Sequence, residues 1–447
     1  MLSGDTVVAQ STPYGYGGIG VIRLSGKDSH KILKKLCNTT DELKHRVVQK
    51  KTAYNKREPF DEVMVTYYKK PRSFTGEEMV EISCHGSPYI IETIIQQCIK
   101  MGAKPAGPGE FTRRAYVNGK IDLVQAESIG NMIASSSQTG LNNAMSGLSG
   151  TISNEVKKCG ELITDLLSYC EHLLDVSGVD IQKDNEKHVI RKIKEITKNL
   201  SSLTKNYNTC RVMIFGATVL LVGETNSGKS TLFNAMSSSK RAIVSELPGT
   251  TRDYIDTQIV IKGVPIKLVD TAGIRKTKDT VELEGIDRST KLIDTADVVL
   301  IVRDINVKND SQTIDYIKLR NNSCLVVNNK IDTKPQNKQS RGAPKNLFVS
   351  ALNQTGLGLL YKSLLKELNL ERLPNKISGV STPRQYDCIS SCVSSLNIIT
   401  DKLMTGFQLE LICYELENSL LKINELLGVN ADEDVLNKMF DNFCVGK

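Results

Sequence analysis

Residues 223–230 read Gly-Glu-Thr-Asn-Ser-Gly-Lys-Ser, which fits the pattern G-x-x-x-x-G-K-[ST]. The apolar run 217–222 precedes this segment and predicts a buried strand, and residues 231–236 predict a helix behind it. A helix N-terminus attracts anions, and glycines let backbone N–H groups approach phosphate oxygens. The sequence therefore predicts a phosphate-binding loop in which Lys229 reaches the β- and γ-phosphates and Ser230 holds Mg²⁺. A Gly/Ser surface loop is the weaker alternative.

Three further motifs follow, each after its own apolar strand. They are Asp270-Thr271-Ala272-Gly273, Asn329-Lys330-Ile331-Asp332 and Ser350-Ala351-Leu352. The Asp270 carboxylate can hold the Mg²⁺ shell through water, and the Gly273 amide can sense a γ-phosphate. Asp332 can accept hydrogen bonds from N1–H and N2–H₂ of guanine, whereas adenine lacks both donors and leaves the carboxylate unpaired. The four motifs together favour GTP over ATP and a GTPase domain.

The polar loop 245–253 lies between the first two motifs and is a candidate switch, because a threonine there can complete the Mg²⁺ shell. Its alternative is an ordinary connector. Ile274 stands where Ras-type enzymes place a water-orienting glutamine, and no arginine finger is evident. Asn226 offers a neutral oxygen where a monovalent cation can sit instead. Glu282 can orient water, but from the residues alone a solvated helix charge is the better interpretation.

Composition sets broad limits. The chain has 447 residues, 40% hydrophobic and 24% charged, which allows two to four soluble domains. No apolar run approaches the roughly 18 residues of a membrane helix, and no secretory signal is expected. The eleven cysteines lack C-x-x-C pairs, and several, such as Cys98 and Cys324, have apolar neighbours, which favours buried thiols in a reducing compartment. The net charge of +8 is compatible with nucleic acid but does not establish it.

The pattern along the chain predicts an insertion. Residues 1 to about 120 alternate strands and helices, and the segment Gly15-x-Gly17-x-x-Gly20 is rejected as a dinucleotide fingerprint because a strand, not a helix, follows it. Residues 122 to about 209 are helical, with leucines and Tyr169 recurring at helix spacing. Strands and helices alternate around the four motifs, and helices return from about 383 to 442. The two helical segments are expected to pack together.

The chain resembles the MnmE (TrmE) family of tRNA modification GTPases nearly from end to end. The resemblance rests on these stretches: 5–10 (DTVVAQ), 17–26 (GGIGVIRLSG), 73–78 (SFTGEE), 85–86 (HG), 108–115 (PGEFTRRA), 118–123 (NGKIDL), 125–127 (QAE), 249–253 (GTTRD) and the terminal Cys444-Val445-Gly446-Lys447. By the residues alone the terminal thiol is more often a bland tail than a nucleophile. The resemblance makes Cys444 a candidate catalytic residue, with its chemical role left open.

The resemblance implies a fold class of several domains, α/β plus all-α. These are an N-terminal α/β domain for folate binding and dimerisation (1–121), a helical domain in two halves (122–213 and 373–447) and an inserted doubly wound GTPase domain (214–372). A 5-formyltetrahydrofolate, or a related one-carbon folate, would contact Arg23, Glu81, Lys120 and Lys447. The protein would be a cytoplasmic homodimer.

The resemblance also implies roles at the nucleotide. Mg²⁺ would be held by Ser230 and Thr251, and K⁺ by Asn226, Ser245, Leu247 and Thr250. Glu282 falls at the family's water-orienting glutamate, which reverses the interpretation from the residues alone. The full set of expected GTP-binding residues is Asn226, Ser227, Gly228, Lys229, Ser230, Thr231, Ser245, Thr250, Thr251, Asp270, Thr271, Ala272, Gly273, Asn329, Lys330, Asp332, Ser350, Ala351 and Leu352.

The family's activity follows from the same resemblance. An FAD-containing MnmG-like protein would join in a heterotetramer, and an aminomethyl or carboxymethylaminomethyl group would be added at C5 of the wobble uridine in certain tRNAs. GTP hydrolysis would be stimulated by K⁺ when two GTPase domains meet. The alternative is a GTP-gated RNA or ribosome assembly factor without modification chemistry. The chain departs from the family pattern at 175–177 (DVS) and 409–415, which concerns the helical interface and leaves the nucleotide site untouched.

Overall fold

A computed structural model describes most of the chain in two units of dense internal contact. The described residues are 4–177, 183–238, 255–270, 290–307, 311–321, 323–333, 346–372, 377–403, 409–429 and 431–447. The first unit comprises Met1–Gly130, Gly147–Ser201 and Asp387–Lys447, and the second comprises Asn131–Ser146 and Ser202–Tyr386. No helix in the described part of the chain is long and apolar enough to cross a membrane.

The first part of the chain forms a six-stranded sheet with helices. Its elements are β1 (Val7–Gln10), β2 (Ile19–Ser25), α1 (Ser29–Leu36), β3 (Val48–Asn55), β4 (Glu58–Tyr68), β5 (Met79–His85), α2 (Pro88–Lys100), β6 (Lys104–Pro105) and α3 (Glu110–Val117). The strand order is β3-β4-β5-β2-β1-β6, and every neighbouring pair is antiparallel except β1 and β6. β2 begins at Ile19, which confirms that a strand and not a helix comes after Gly15 and Gly17.

The first sheet packs its larger apolar cluster against α1 and α2. Alternation in β2 turns Ile22 and Leu24 inward, where they pack with Ile82 of β5 and with apolar residues of α1 and α2. Arg114 of α3 is almost fully buried and pairs with Glu77 and Glu110, each at 2.9 Å. A buried guanidinium persists only when it is paired in this way.

Helices follow in the order α4 (Leu123–Ala134), α5 (Gln138–Leu148), α6 (Thr151–Ser177), α7 (Lys183–Thr204) and α8 (Tyr207–Phe215). After the nucleotide motifs come α12 (Pro383–Leu403), α13 (Leu409–Leu427) and α14 (Glu433–Asp441). The helical character predicted for both segments is confirmed.

α6 packs against α13, so helices from both sides of the nucleotide motifs meet within the first unit. Cys159, Ile163, Leu166 and Cys170 are buried at heptad spacing on α6. The predicted leucine stripe is therefore displaced. Only Leu166 of that stripe is buried, and the others, Leu162, Tyr169, Leu173 and Leu174, are partly exposed. The displacement arises because cysteine behaves as a small buried hydrophobe, so Cys159 and Cys170 belong to the apolar stripe although a leucine pattern leaves them out.

The second unit contains the other sheet. Its elements are β7 (Ala217–Val222), α9 (Lys229–Ser237), β8 (Ile255–Ile261), β9 (Val264–Asp270), β10 (Val298–Asp304), α10 (Ser311–Arg320), β11 (Cys324–Asn329), β12 (Asn346–Phe348) and α11 (Leu357–Glu367). The strand order is β12-β11-β10-β7-β9-β8, parallel except for β8. Apolar clusters cover both faces, as in doubly wound α/β domains. The carboxyl ends of five strands therefore lie along one edge.

Candidate nucleotide-binding site

The loop between β7 and α9 requires glycine at both ends. Gly228 precedes α9 in a left-handed conformation with φ +88°. Gly223 has φ +153°, and a Cβ there would lie 2.0 Å from the carbonyl oxygen of Val302. Neither backbone position suits a side chain, because the first is left-handed and the second lies against main chain. The loop therefore holds its backbone close to β10 and leaves the N-terminus of α9 open to an anion.

Two side chains inside the loop fit a phosphate. The Lys229 ammonium is buried and donates to the carbonyl oxygens of Gly223, at 2.8 Å, and Glu224, at 2.7 Å. The Ser227 hydroxyl is buried and has no hydrogen-bond partner among the described residues. A buried polar atom without a partner is costly unless a ligand satisfies it. Asn226 and Thr231 are exposed on the same loop and helix.

A hydroxyl and a carboxylate meet beside the loop. Ser230 Oγ donates to Asp270 Oδ2 at 3.2 Å, and Asp270 is buried at the end of β9. Mg²⁺ prefers such oxygen ligands and is commonly held by one or two protein groups together with phosphate oxygens. Ser230 thus suits the predicted magnesium site, with Asp270 placed to hold the Mg²⁺ shell through water, while Thr251 lies outside the described residues.

Asn329 joins the phosphate loop to the base side of the site. Its Nδ2 donates to the carbonyl oxygens of Ser227, at 3.2 Å, and Gly228, at 3.4 Å, while its Oδ1 accepts from the Ala351 amide at 3.0 Å. Asn329 is buried at the end of β11. One amide side chain therefore fixes three of the four motifs relative to one another.

Asp332 lies in a 3₁₀ turn, Ile331–Thr333, directly after β11. The hydroxyl of Ser350, which is fully buried, donates to Asp332 Oδ1 and accepts from the Asn353 amide at 3.2 Å. The carboxylate is otherwise exposed, and Leu352 is 75% exposed beside it. Such an anchored carboxylate can receive two N–H donors from a guanine edge.

Asp304 is a site residue that the motifs did not reveal. The Lys330 ammonium donates to Asp304 Oδ2 and to the carbonyl oxygen of Asn226, each at 2.7 Å. Lys330 therefore holds the pKa of the Asp304 carboxyl below its usual range. The available signal was position, because Asp304 ends the apolar strand β10 at the same edge as Asn329.

Several predicted residues lie outside the described part of the chain. They are Ser245, Leu247, Thr250, Thr251, Thr271, Ala272, Gly273 and Glu282. The structure thus brings together the phosphate loop, Asp270, the N-K-x-D segment and Ser350–Leu352. The switch loop and the expected water-orienting glutamate stay predictions.

A second polar cluster lies on the first sheet. Arg23 of β2 faces Glu81 of β5 in register, and its Nε donates to Glu81 Oε1 at 2.8 Å. The Tyr68 hydroxyl donates to Glu81 Oε2 at 3.1 Å, and the Arg23 guanidinium lies 5.9 Å from the centre of the Phe74 ring. Two of the four predicted folate residues are therefore in direct contact. The pair and the flanking rings offer a carboxylate, a guanidinium and an aromatic face to a flat heterocycle.

Lys120 and the chain terminus approach the same region. The Lys120 ammonium donates to the Pro71 carbonyl oxygen at 3.3 Å, three residues before Phe74. The Phe111 amide donates to the Lys447 carbonyl oxygen at 3.1 Å, and Phe111 belongs to the apolar cluster against which Phe74 packs. Lys120 therefore contacts the segment that leads to Phe74, and the main chain of Lys447 contacts Phe111 of the cluster against which Phe74 packs.

The last four residues are held in place along the N-terminal region. Ser11 Oγ donates to the Gly446 carbonyl oxygen at 2.9 Å, and Val445 pairs with Pro108. Ten cysteines are buried, which confirms the prediction for Cys98 and Cys324, and Cys444 is exposed. Burial raises the pKa of the Cys98 thiol to about 12. Cys444 is therefore the accessible thiol of the chain.

Comparison with known proteins gives matches along the whole chain. A family model described as "GTP-binding protein TrmE N-terminus" matches residues 6–120, and one described as "MnmE helical domain" matches residues 123–444. A tRNA modification GTPase MnmE of Aquifex aeolicus is 36% identical in an alignment of 449 positions that covers 99% of this chain and all of that protein. Proteins of the same name from Thermotoga petrophila and Syntrophotalea carbinolica are each 35% identical, with 99% and 100% of this chain covered and all of each relative.

Proposed function

Because the chain belongs to the MnmE family of tRNA modification GTPases, we propose that it hydrolyses GTP to drive a tRNA modification. The proposed reaction adds an aminomethyl or carboxymethylaminomethyl group at C5 of the wobble uridine. An MnmG-like flavoprotein would act with it in a heterotetramer, and tRNA as substrate would place it in the cytoplasm. The proposed domains are residues 1–121, 122–213, 214–372 and 373–447, as the sequence predicts.

One observation carries the GTPase part of this proposal. Asn329 contacts the phosphate loop through Ser227 and Gly228 and the Ser350–Leu352 segment through Ala351. One buried side chain therefore joins the phosphate cradle to the segment whose Ser350 hydroxyl bonds Asp332. Such pre-organisation suits a nucleotide whose triphosphate and guanine are gripped at once.

Metal ions complete the proposed nucleotide site. Ser230 and Thr251 would hold Mg²⁺, which neutralises charge on the phosphates when bound. Asn226, Ser245, Leu247 and Thr250 would hold K⁺ in place of an arginine finger. Within this arrangement Lys229 binds the β- and γ-phosphates and Asp332 orients the base. Glu282 would orient the attacking water.

The first sheet would bind the one-carbon folate. We assign a 5-formyltetrahydrofolate to the region of Arg23, Glu81, Lys120 and Lys447, in a domain that also pairs two chains. The contact of Arg23 with Glu81 beside Phe74 supports this assignment. Cys444 is exposed in the last four residues, which Ser11 and Pro108 hold in place, and it is the proposed reactive thiol near that folate.

Two measurements test the proposed function. GTP turnover by the full chain should be much faster in KCl than in NaCl. Equal rates in the two salts would refute the cation site.

Glu282→Ala should slow GTP turnover with little change in nucleotide affinity. Glu284→Ala, two residues further on, is the matched control for this substitution.

The modification itself is tested in cells that lack the protein. Mass spectrometry of their tRNA nucleosides should show wobble uridines without the C5 group, restored by the wild-type gene. Unchanged uridines would remove the modification from the proposal and leave a GTP-gated assembly factor.

A further inference from the structure

A pocket of about 300 Å³ opens within the first unit, where α3 leads into α4. Lys120 and Asp122 line it from the α3–α4 connection, Lys157 lines it from α6, and Gly428 lines it from the end of α13. A volume of this size is at the lower end for ligand sites, so the pocket suits a small ligand or one end of a longer one.

The acidic group of the pocket is already used by the fold. Asp122 caps α4 through its Oδ1, which accepts from the Gln125 amide at 3.0 Å, and Gln125 Oε1 accepts from the Asp122 amide at 2.9 Å. Ser153 Oγ donates to the same Oδ1 at 3.0 Å. Asp122 Oδ1 thus joins α4 and α6, while Oδ2 forms an ion pair with Lys157 at 3.4 Å.

Two ammonium groups therefore set the character of the pocket. Lys157 Nζ lies 3.4 Å from Asp122 Oδ2, and Lys120 Nζ lies 3.3 Å from the Pro71 carbonyl oxygen. Both contacts are long, and each ammonium carries three N–H donors. Two ammonium groups and one carboxylate leave one net positive charge on this concave surface, which attracts anions, and two carboxylates on one ligand can each reach one ammonium.

Lys120 connects this pocket to the proposed folate region. Its side-chain methylenes pass close to Gly76, where an added Cβ would lie 3.3 Å from Lys120 Cγ. Gly76 is two residues from Phe74, whose ring faces Arg23. The segment 71–76 therefore contacts Lys120 at Pro71 and Gly76 and contacts Arg23 at Phe74, and a ligand held at Arg23 and Glu81 would extend along it to reach the pocket.

We propose that this pocket binds the glutamyl tail of the folate, with Lys120 and Lys157 pairing with its two carboxylates. The inference rests on the proposed folate site and extends it, because Lys157 has no part in the resemblance described above. The pocket would select folates that carry glutamate over the same pteridine without it. Lys157 is a binding residue in this proposal, and the tail contributes affinity without entering the chemistry.

The test compares ligands that differ only in the tail. The full chain is titrated by calorimetry with 5-formyltetrahydrofolate, with its triglutamate, and with 5-formyltetrahydropteroate, which lacks glutamate. We expect the pteroate to bind about ten-fold more weakly than the folate. Lys157→Gln should weaken folate binding about five-fold and leave pteroate binding unchanged, and Lys157→Arg should restore most of the loss.

Lys158→Gln is the matched control, because Lys158 is the exposed next residue on α6 and does not line the pocket. It should change neither affinity. Equal binding of folate and pteroate by the wild-type chain would overturn the tail site and leave the folate site standing. No binding of either ligand would overturn the folate site and this inference together. An equal loss in Lys157→Gln and Lys158→Gln would show general surface charge and also overturn the proposal.

Discussion

The two sheets place their polar groups in different ways. In the first sheet, Arg23 and Glu81 face each other from the middle of antiparallel strands, and their contact depends on the register of β2 with β5. In the second sheet, Asp270, Asp304 and Asn329 each end a strand, and their meeting depends only on strand direction. The first site is built across the face of a sheet and the second along its edge.

This difference determines what a sequence can reveal. The carboxyl ends of parallel strands share one edge, so a motif after each strand predicts a common site without knowledge of strand order. Two residues on antiparallel strands meet only in one register, and a shift by one residue turns them to opposite faces. The nucleotide site at the edge of the second sheet is built largely from loop backbone, whereas the polar site on the face of the first sheet depends on a pair of side chains.

The strongest test of the edge site is Gly223→Ala. Its Cβ would lie 2.0 Å from the Val302 carbonyl oxygen, so the loop must move away from β10. Displaced amides lose several charge-assisted hydrogen bonds, and we expect GTP affinity to fall on the order of 1,000-fold or more. Calorimetry with a non-hydrolysable GTP analogue measures this loss.

Gly358→Ala provides the control for that substitution. Gly358 lies in α11, and an added Cβ there meets no atom within 4 Å. This variant should bind GTP as the wild type does, with a small gain in stability from helix propensity. Retained GTP affinity in Gly223→Ala would show that the loop backbone does not build the site.

Asp332→Asn tests the base side of the same edge. The amide cannot accept both guanine donors and brings its own N–H₂ against them, so GTP affinity should fall about 100-fold and preference over ATP should shrink. Asp315→Asn, an exposed carboxylate on α10, should change neither quantity. Undiminished preference for GTP in Asp332→Asn would place the base elsewhere.

Local motifs in the sequence predict the edge site, whereas the face site is predicted only through the resemblance. Motifs at 223–230, 270–273 and 329–332 are local, and the strands before them match β7, β9 and β11. Asp304 was missed because no local pattern surrounds it, although it ends a strand at the same edge. Arg23 and Glu81 are 58 residues apart along the chain, and their contact depends on how β2 and β5 are aligned. This alignment cannot be read from the sequence alone.

A double-mutant cycle at Arg23 and Glu81 tests the face site. Their side chains are about one-fifth exposed and joined at 2.8 Å, so Arg23→Met and Glu81→Gln should each weaken folate binding about ten-fold. The double variant should lose less than the product, with a coupling of about 1 kcal/mol, because the two act as a unit. GTP affinity should not change in any of the three.

The exposed pair Lys50 and Glu62 offers a matched cycle in the same sheet. It also joins neighbouring strands, at 2.9 Å, but both side chains are 63% exposed. Lys50→Met and Glu62→Gln should leave folate affinity unchanged and show almost no coupling. Full additivity at Arg23 and Glu81 would mean that the face site is not a paired unit.

The smallest expected change in GTP affinity is at Asp304. Its substitution tests whether an edge residue that belongs to no motif contributes to GTP binding. Asp304→Asn should weaken GTP binding about three-fold at pH 7.5, because Lys330 keeps the Asn226 carbonyl and loses one partly buried charged partner. Since Lys330 lowers the pKa of Asp304, the carboxylate stays charged from pH 8 to pH 5 and its contribution is lost only as the pH falls through that lowered value. The ratio of wild-type to variant affinity should therefore be constant between pH 8 and pH 5. A ratio that falls within that window would show that the pKa of Asp304 is raised in the folded protein, and that Lys330 is not its partner.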